Sequence, residues 1–182
     1  MNIEYEIRVL EININNIVDK LEKLGAKKVG EFNQKRYVYD LNPKASGKWI
    51  RLRTNGKVTT LCYKDVVSNT IDGTKEVEFI VEDFDKTNEF LERIGFISRN
   101  YQENKRIQYI LNDVEIDIDT WPLIPTYLEI EGSSEEDVLK IKDLLNVDES
   151  KVTTLNCEDI YNDIYNIDVM SIKELRFEYS NE

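Results

Sequence analysis

Ile3-Glu4-Tyr5-Glu6-Ile7-Arg8-Val9-Leu10 alternates between apolar and charged residues near the start of the chain. Ile3, Tyr5, Ile7 and Val9 face one way and Glu4, Glu6 and Arg8 the other, the period-two pattern of a half-buried strand. The same pattern recurs in KRYVYDL (35–41), KWIRLRT (48–54), KVTTLCYKD (57–65), TKEVEFIVE (74–82), NKRIQYIL (104–111), DVEIDIDT (113–120) and TYLEIEG (126–132). Short polar or glycine-bearing stretches separate most of these eight segments. Asn55-Gly56 and Asn112-Asp113 read as tight hairpin turns.

Three segments carry a helical period instead. In NINNIVDKLEKLG (13–25), Ile14, Ile17, Val18, Leu21 and Leu24 share a face, Asn13 suits the N-cap and Gly25 the C-terminal cap. DFDKTNEFLERIG (83–95) ends at Gly95, and SSEEDVLKIKDLL (133–145) opens on serine followed by acids, which suit a helix N-terminus. An offset of 70 residues maps Glu6 onto Glu76, Leu21 onto Leu91, Gly25 onto Gly95, Lys35 onto Lys105, Arg36 onto Arg106 and Tyr39 onto Tyr109. Two halves of similar plan would build a pseudo-symmetric sheet. Beyond residue 146, a short helix with Ile160, Tyr161, Ile164 and Tyr165 and a final strand in KELRFEYS (173–180) are expected.

The polar faces of the strands carry acids at Glu4, Glu6, Glu76, Glu78, Glu115, Asp117, Asp119, Glu129 and Glu131. They carry bases at Arg8, Arg36, Arg51, Arg53, Lys64, Lys105 and Arg106. For any single E-x-E pair the simpler reading is the wet side of an amphipathic sheet, where opposite charges add a little stability. The helices shift the balance. Three amphipathic helices need apolar surface, and each strand offers one apolar face, so the helices coat the outside. In a sheet that curls shut, the charged faces then line an interior. Such a lumen is no dry core, because unpaired buried charge costs too much. Clustered carboxylates call for divalent cations, and arginines facing them call for a polyanion, whose phosphate oxygens match the guanidinium fork. Acids, metal and bases around one polyanion are the equipment of phosphoryl or nucleotidyl transfer.

Composition narrows the classes. The chain has 182 residues, 41% hydrophobic and 33% charged, with a net charge of −12 and no histidine. A Ser-His-Asp triad, a Cys-His dyad and a histidine-ligated zinc site are impossible. The acidic balance disfavours nucleic acid and membrane as partners. No apolar run is long enough to span a bilayer, the start MNIEYEIR is no signal peptide, and Cys62 and Cys157 form no CxxC motif. A cytoplasmic protein is expected, and nothing excludes an isologous dimer. Any metal must be held by carboxylates, which points to Mg2+ or Mn2+.

Glu4-x-Glu6-x-Arg8 resembles the E-x-E-x-K signature of the CYTH superfamily, which groups class IV adenylyl cyclases, thiamine triphosphatases and inorganic triphosphatases. The likeness continues in order through WIRLR (49–53), the strand ending at Lys64, KEVE (75–78), Lys105-Arg106, VEIDID (114–119) and LEIEG (128–132). It implies an α+β fold: a closed eight-stranded antiparallel β-barrel, the triphosphate tunnel, with helices packed outside. It implies one domain over 1–182, with a barrel core from about 2 to 132 and a C-terminal helical extension from about 133 to 182. Carried over, Glu4, Glu6, Glu76, Asp117, Asp119, Glu129 and Glu131 would bind the metal. Arg36, Arg51, Arg53, Lys64, Lys105 and Arg106 would grip phosphate, and Arg8 and Glu78 would be catalytic. The implied activity is hydrolysis of inorganic, nucleoside or thiamine triphosphate. The alternatives are conversion of ATP to cyclic AMP and pyrophosphate, and polyphosphate or nucleotide binding without turnover. One departure bears on all three: Arg8 stands where the family has lysine, and arginine does not deprotonate at neutral pH. The remaining residues read as structural: Cys62 as a passive lining residue, Cys157 as packing and Trp49 as packed on a helix. Trp121-Pro122 and Pro125 shape a connection that could also lie over a barrel mouth.

Overall fold

The alternating segments pair with one another in a single sheet. They are β1 (Asn2–Val9), β2 (Lys27–Asp40), β3 (Lys48–Thr54), β4 (Thr59–Val66), β5 (Thr74–Val81), β6 (Ser98–Leu111), β7 (Val114–Thr120) and β8 (Tyr127–Gly132). In the computed structural model, which describes residues 1–177, they run β6-β2-β3-β4-β5-β1-β8-β7. β7 pairs again with β6 over Lys105–Leu111, so the sheet returns to its first strand and closes into an eight-stranded antiparallel barrel. Eight strands leave an interior wide enough for side chains or one small ligand.

β2 and β6 are longer than their apolar patterns suggest. KKVGEFNQ and SRNYQE have little apolar periodicity, yet each extends its strand because the other supplies the hydrogen-bond ladder. Two bulges interrupt that ladder, at Val29 in β2 and Arg99 in β6. These too are 70 residues apart, so the echo in the sequence is a structural repeat: β1–helix–β2 and β5–helix–β6 pair strand for strand. The Asn112-Asp113 turn has both φ angles positive, at 52° and 64°, as a tight hairpin of this hand requires. The other hairpin differs from expectation. It spans Asn55–Val58, because the Asn55 carboxamide accepts from the N–H groups of Lys57 and Val58 and stabilises a wider turn.

The helices α1 (Ile14–Lys23), α2 (Phe84–Arg93) and α3 (Glu135–Leu145) start where their caps are. Asn13, Asp83 and Ser134 accept from the backbone N–H groups of Asn16, Lys86 and Asp137. Gly25 and Gly95 take positive φ just beyond α1 and α2, where a side chain would be strained. Ile17 and Leu21 of α1, with Val138, Ile141 and Leu145 of α3, pack on the outward residues of β1, β6, β7 and β8. Phe84 and Leu91 of α2 cover Tyr39 of β2 and Leu52 of β3. The apolar faces of these strands thus point outward under the helices.

Residues 152–175 cross one end of the barrel. β9 (Val152–Thr153) pairs with β1, a helical segment runs through Cys157–Ile164, and β10 (Glu174–Leu175) pairs in parallel with β6. Ile160 and Tyr161 pack with Trp121, Ile124 and Tyr127, and the Tyr161 hydroxyl donates to the Pro122 carbonyl at 2.6 Å. Of the strand expected in 173–180, Glu174 and Leu175 pair, and 178–180 lie outside the described residues. No helix among the described residues is long and apolar enough to cross a membrane.

This packing makes a contrast. Leu21→Ala, at a site with no exposed surface, is expected to lower the unfolding free energy by about 2–5 kcal/mol in urea titration. Ile110→Ala, with 39% of its surface exposed, is expected to cost about 1.5 kcal/mol or less. Equal costs would contradict the placement of α1.

Candidate active site

Alternation places the charged side chains inside the barrel, and register decides which of them meet. Glu6, Glu131 and Glu115 lie opposite one another across β1, β8 and β7. Arg36 lies opposite Arg53 across β2 and β3. Like charges directly opposite destabilise a sheet, so both rows call for a counter-charge. Between them run mixed rows, with Arg8 opposite Glu129 and Glu129 opposite Asp117, Lys64 opposite Glu76, and Arg106 opposite Asp119. The cavity they line has a volume of about 460 Å³.

Arg8 bridges Glu6 and Glu129 at 2.7 and 2.6 Å and donates to the Leu155 carbonyl at 2.9 Å. Its burial acts against the charge, but Glu129 and Glu6 outweigh that and hold its pKa well above the usual arginine value. Arg106 binds Asp119 through two nitrogens at 2.8 and 2.6 Å and reaches Asp117 and Glu129 as well. Lys64 holds both oxygens of Glu4, at 2.9 and 2.7 Å, and lies 3.4 Å from Glu76. Glu78 accepts from Arg51 at 2.8 Å and Thr60 at 3.1 Å and lies 3.6 Å from Arg53.

Of the expected metal ligands, Glu6, Glu129 and Glu131 bring carboxylate oxygens within 4.8 Å of one another. All-oxygen donors suit a hard divalent cation. Glu4 and Glu76 stand beside this group, tied to Lys64, whereas Asp117 and Asp119 are engaged by Arg106. Burial first, then Glu4, Glu129 and Glu6, push Glu131 up to about 8. Burial likewise lifts Glu4 to about 7, with Lys64 opposing and Glu6 and Glu76 adding to the shift. On the opposite wall, burial and then Arg51, Arg53 and Arg106 lower Arg36 to about 9. Burial, Arg51 and Arg106 lower Arg53 to about 10. Among the described residues Glu131 meets no basic side chain and Arg36 no acidic one, whereas Glu6 and Glu129 share Arg8, Glu4 holds Lys64, and Glu78 serves Arg51 and Arg53.

Two expectations need correction. Lys105 is exposed on the outer face, with its ammonium 4.9 Å from the Phe177 ring centre, so it cannot share a lumenal ligand with Arg106, its neighbour in the strand. Trp49 lines the lumen instead of packing on a helix, because it alternates in step with Arg51 and Arg53. Cys62 points inward beside Glu76 at 3.1 Å, and burial raises its thiol to about 12, which leaves it inert. The sequence reading missed Gln34, Asn104 and the tail residues Asn156 and Cys157, which reach the same site. Gln34 and Asn104 are 70 residues apart and two before Arg36 and Arg106, so extending the repeat would have found them. The tail residues reach the cavity through a chain crossing, which leaves no local pattern.

Comparison with known proteins gives this geometry relatives. The CYTH domain profile matches residues 2–155. A protein of Methanocaldococcus jannaschii that carries a provisional adenylate cyclase name is 25% identical over 163 residues, 82% of this chain and 93% of that one. The PH1012 protein of Pyrococcus horikoshii superposes with a TM-score of 0.71 at 27% identity, over 86% of this chain and 96% of that one. A Hippeastrum protein with a provisional adenylyl cyclase name, described as having a dominant triphosphatase activity, superposes with a TM-score of 0.59 at 14% identity, over 92% of this chain and 97% of that one.

The acid group makes stability pH-dependent. Glu4 and Glu131 bind protons more tightly folded than unfolded, so their contribution is full below about 4.5 and is lost as pH rises through 7 to 8. Glu76, held down to about 2 by Lys64 against the effect of burial, is ionised throughout that window. The melting temperature of metal-free protein is expected to fall from pH 5 to 8, and added Mg2+ to raise it more at pH 8 than at pH 5.5. Equal Mg2+ shifts at both pH values would count against a cation among these carboxylates.

Proposed function

The chain belongs to the CYTH family, and on that premise we propose that its lumen binds a linear triphosphate with a divalent cation and hydrolyses the terminal phosphate. The observation that carries this reading is the pair of like-charge rows in one cavity, Glu6-Glu131-Glu115 and Arg36-Arg53. A cation alone would relieve only the first, and an anion alone only the second. A metal–polyphosphate complex relieves both.

The residues divide the work by position. Arg36, Arg51, Arg53, Lys64 and Arg106 provide the phosphate grip, and Glu78 orients Arg51 and Arg53. Its pKa is lowered: burial alone would raise it, but Arg51 and Arg53 outweigh that. Glu6, Glu129 and Glu131 would hold the cation, which when bound neutralises charge on the phosphate oxygens. Arg8 stays protonated between Glu6 and Glu129, so it spaces those two carboxylates and adds positive charge without accepting a proton. Removal of the proton from the attacking water then falls to a carboxylate of the acid wall.

The second reading, cyclisation of ATP, is raised by the name of the Methanocaldococcus relative. It needs a place for adenine. Trp121, a buried aromatic of the lumen, already has the Arg36 guanidinium 4.5 Å above its ring and Tyr161 at its edge, which leaves its face unavailable for base stacking. This removes Trp121 as an adenine platform, while Trp49, half-buried on the same lumen, is the aromatic a cyclase reading would have to use. The Hippeastrum protein, with the same fold, is described by its dominant triphosphatase activity, which illustrates that a cyclase name and hydrolysis can coincide.

Product analysis separates the readings. With Mg2+ or Mn2+, inorganic triphosphate is expected to yield orthophosphate, and Glu6→Gln with Glu131→Gln to lower the rate by about 100-fold or more. Cyclic AMP with matched pyrophosphate from ATP would make the protein a cyclase, and metal-dependent binding without turnover a binding protein. Arg8→Lys is expected to leave kcat within about tenfold and its pH profile unmoved. A large gain with a new basic limb would instead assign a proton-accepting role to this position.

A further inference from the structure

The repeat at 70 residues is also a two-fold relation in space. Glu4 pairs with Thr74 across β1 and β5, and Gln34 with Asn104 across β2 and β6. Each pair joins a residue to its own counterpart, so β1, β2, β3 and β4 correspond to β5, β6, β7 and β8, and α1 to α2. α3 follows β8, but residues 67–73 join β4 to β5 without a helix. The place of a second α3, over β4 and β5 beside α2, is therefore bare among the described residues. Burial shows the difference. Beneath the helices, Ile130 lies opposite Ile7 and Leu128 opposite Val9, all at 3% exposure or less. Their counterparts are Tyr63 opposite Val77 and Leu61 opposite Phe79. Val77 and Phe79 are 45% and 54% exposed. α2 extends the apolar area. The Tyr39 hydroxyl donates to Asn88 at 2.6 Å, so that side of α2 faces β2. The helical step then puts Phe90 and Ile94 on the flank toward β4, and they are 61% and 55% exposed. A contiguous apolar patch of this kind marks an interaction surface.

We propose that a second copy of this chain covers the face in an isologous dimer, with Phe90 and Ile94 of each copy seated on Val77 and Phe79 of the other. Three observations select this occupant. In the first half, Lys20 donates to the carbonyls of Leu145 and Asn146 at the end of α3, at 2.6 and 3.0 Å. Its counterpart is Phe90, so a lone helix docked here would find no such donor for its last carbonyls, and the face offers apolar area instead. The charges at its border have both signs. Asp65 lies opposite Lys75 and 3.0 Å from Lys48, and Glu89 lies 3.3 Å from Arg93. An isologous contact brings a patch against itself, and a patch of mixed sign meets its copy without a net repulsion. The chain as a whole has a net charge of −12, so two copies repel except where charge is locally balanced. Each α2 then fills the bare place beside the other. The face lies on the outer wall of the barrel, so the contact does not depend on the chemistry of the lumen.

Sedimentation equilibrium of the full chain over a concentration series tests this. The mass is expected to rise from 21.4 kDa toward twice that value. Phe79→Asp and Phe90→Asp are each expected to weaken self-association about 30-fold or more. Both side chains are more than half exposed, so the far-ultraviolet circular dichroism of the variants is expected to match wild type. They lie on separate elements, so one remains informative if the other fails to fold. Leu144→Asp, 45% exposed on α3 and outside the face, is expected to leave association within about twofold. Added salt is expected to tighten the dimer, because it screens the repulsion between two acidic chains. A monomer at every concentration would overturn the second copy and leave the face to a partner of different sequence. A dimer that Leu144→Asp disrupts and Phe79→Asp and Phe90→Asp do not would move the contact to α3 and overturn it as well. Dissociation by salt would mean that attraction between charges holds the copies together, which is equally incompatible with an apolar contact.

Discussion

Pairing of Lys105–Leu111 with Val114–Thr120 closes the sheet, and the character of the site depends on that closure. In an open sheet, Glu115, Asp117 and Asp119 would face water and could not share a cavity with the arginines of β2 and β3. Closed, the same residues stand across a narrow lumen, where charge is poorly solvated and each ion feels its neighbours strongly. The strain is visible in opposite directions on the two walls. Burial makes Glu4 and Glu131 resist ionisation, while Arg36 and Arg53 hold their protons less tightly than ordinary arginines.

The outside of the barrel makes this arrangement affordable. β7 turns Val114, Ile116 and Ile118 outward, each at 2% exposure or less, under α1 and α3. The apolar core therefore lies between barrel and helices. Stability comes from that shell, and the lumen is left to carry charge whose pairing is incomplete. Such a division is common where structure serves chemistry: a site tuned to a charged ligand is not the arrangement that maximises the stability of the empty protein.

The two-fold plan of the chain also shapes the site. The repeat at 70 residues extends from helix caps to β-bulges, and it places Gln34 and Arg36 against Asn104 and Arg106 on neighbouring strands. The two arginines have nevertheless diverged in environment. Arg106 faces Asp117, Asp119 and Glu129, which follow from its pairing with β7. Arg36 pairs with β3 instead, finds Arg53 opposite, and remains uncompensated. One repeated motif thus yields an arginine held by three carboxylates in one half and an arginine held only by neutral amides in the other.

Most of the barrel and the inward set of charges were legible in the sequence, because period-two alternation assigns each strand residue to a face without reference to its partners. Alternation also holds where the reading went astray: Trp49 shares a face with Arg51, and Lys105 sits opposite in phase to Arg106. Other features needed the folded chain. The extensions of β2 and β6 exist because each is the other's partner. Residues 152–175 reach Arg8, Trp121 and Arg99 only by crossing the barrel end. Which charges are paired and which are left over is likewise a matter of register and crossing. The sequence determined which side chains enter the lumen, since that depends on local geometry. Only the tertiary structure decided which of them meet, since that depends on strands far apart in the chain.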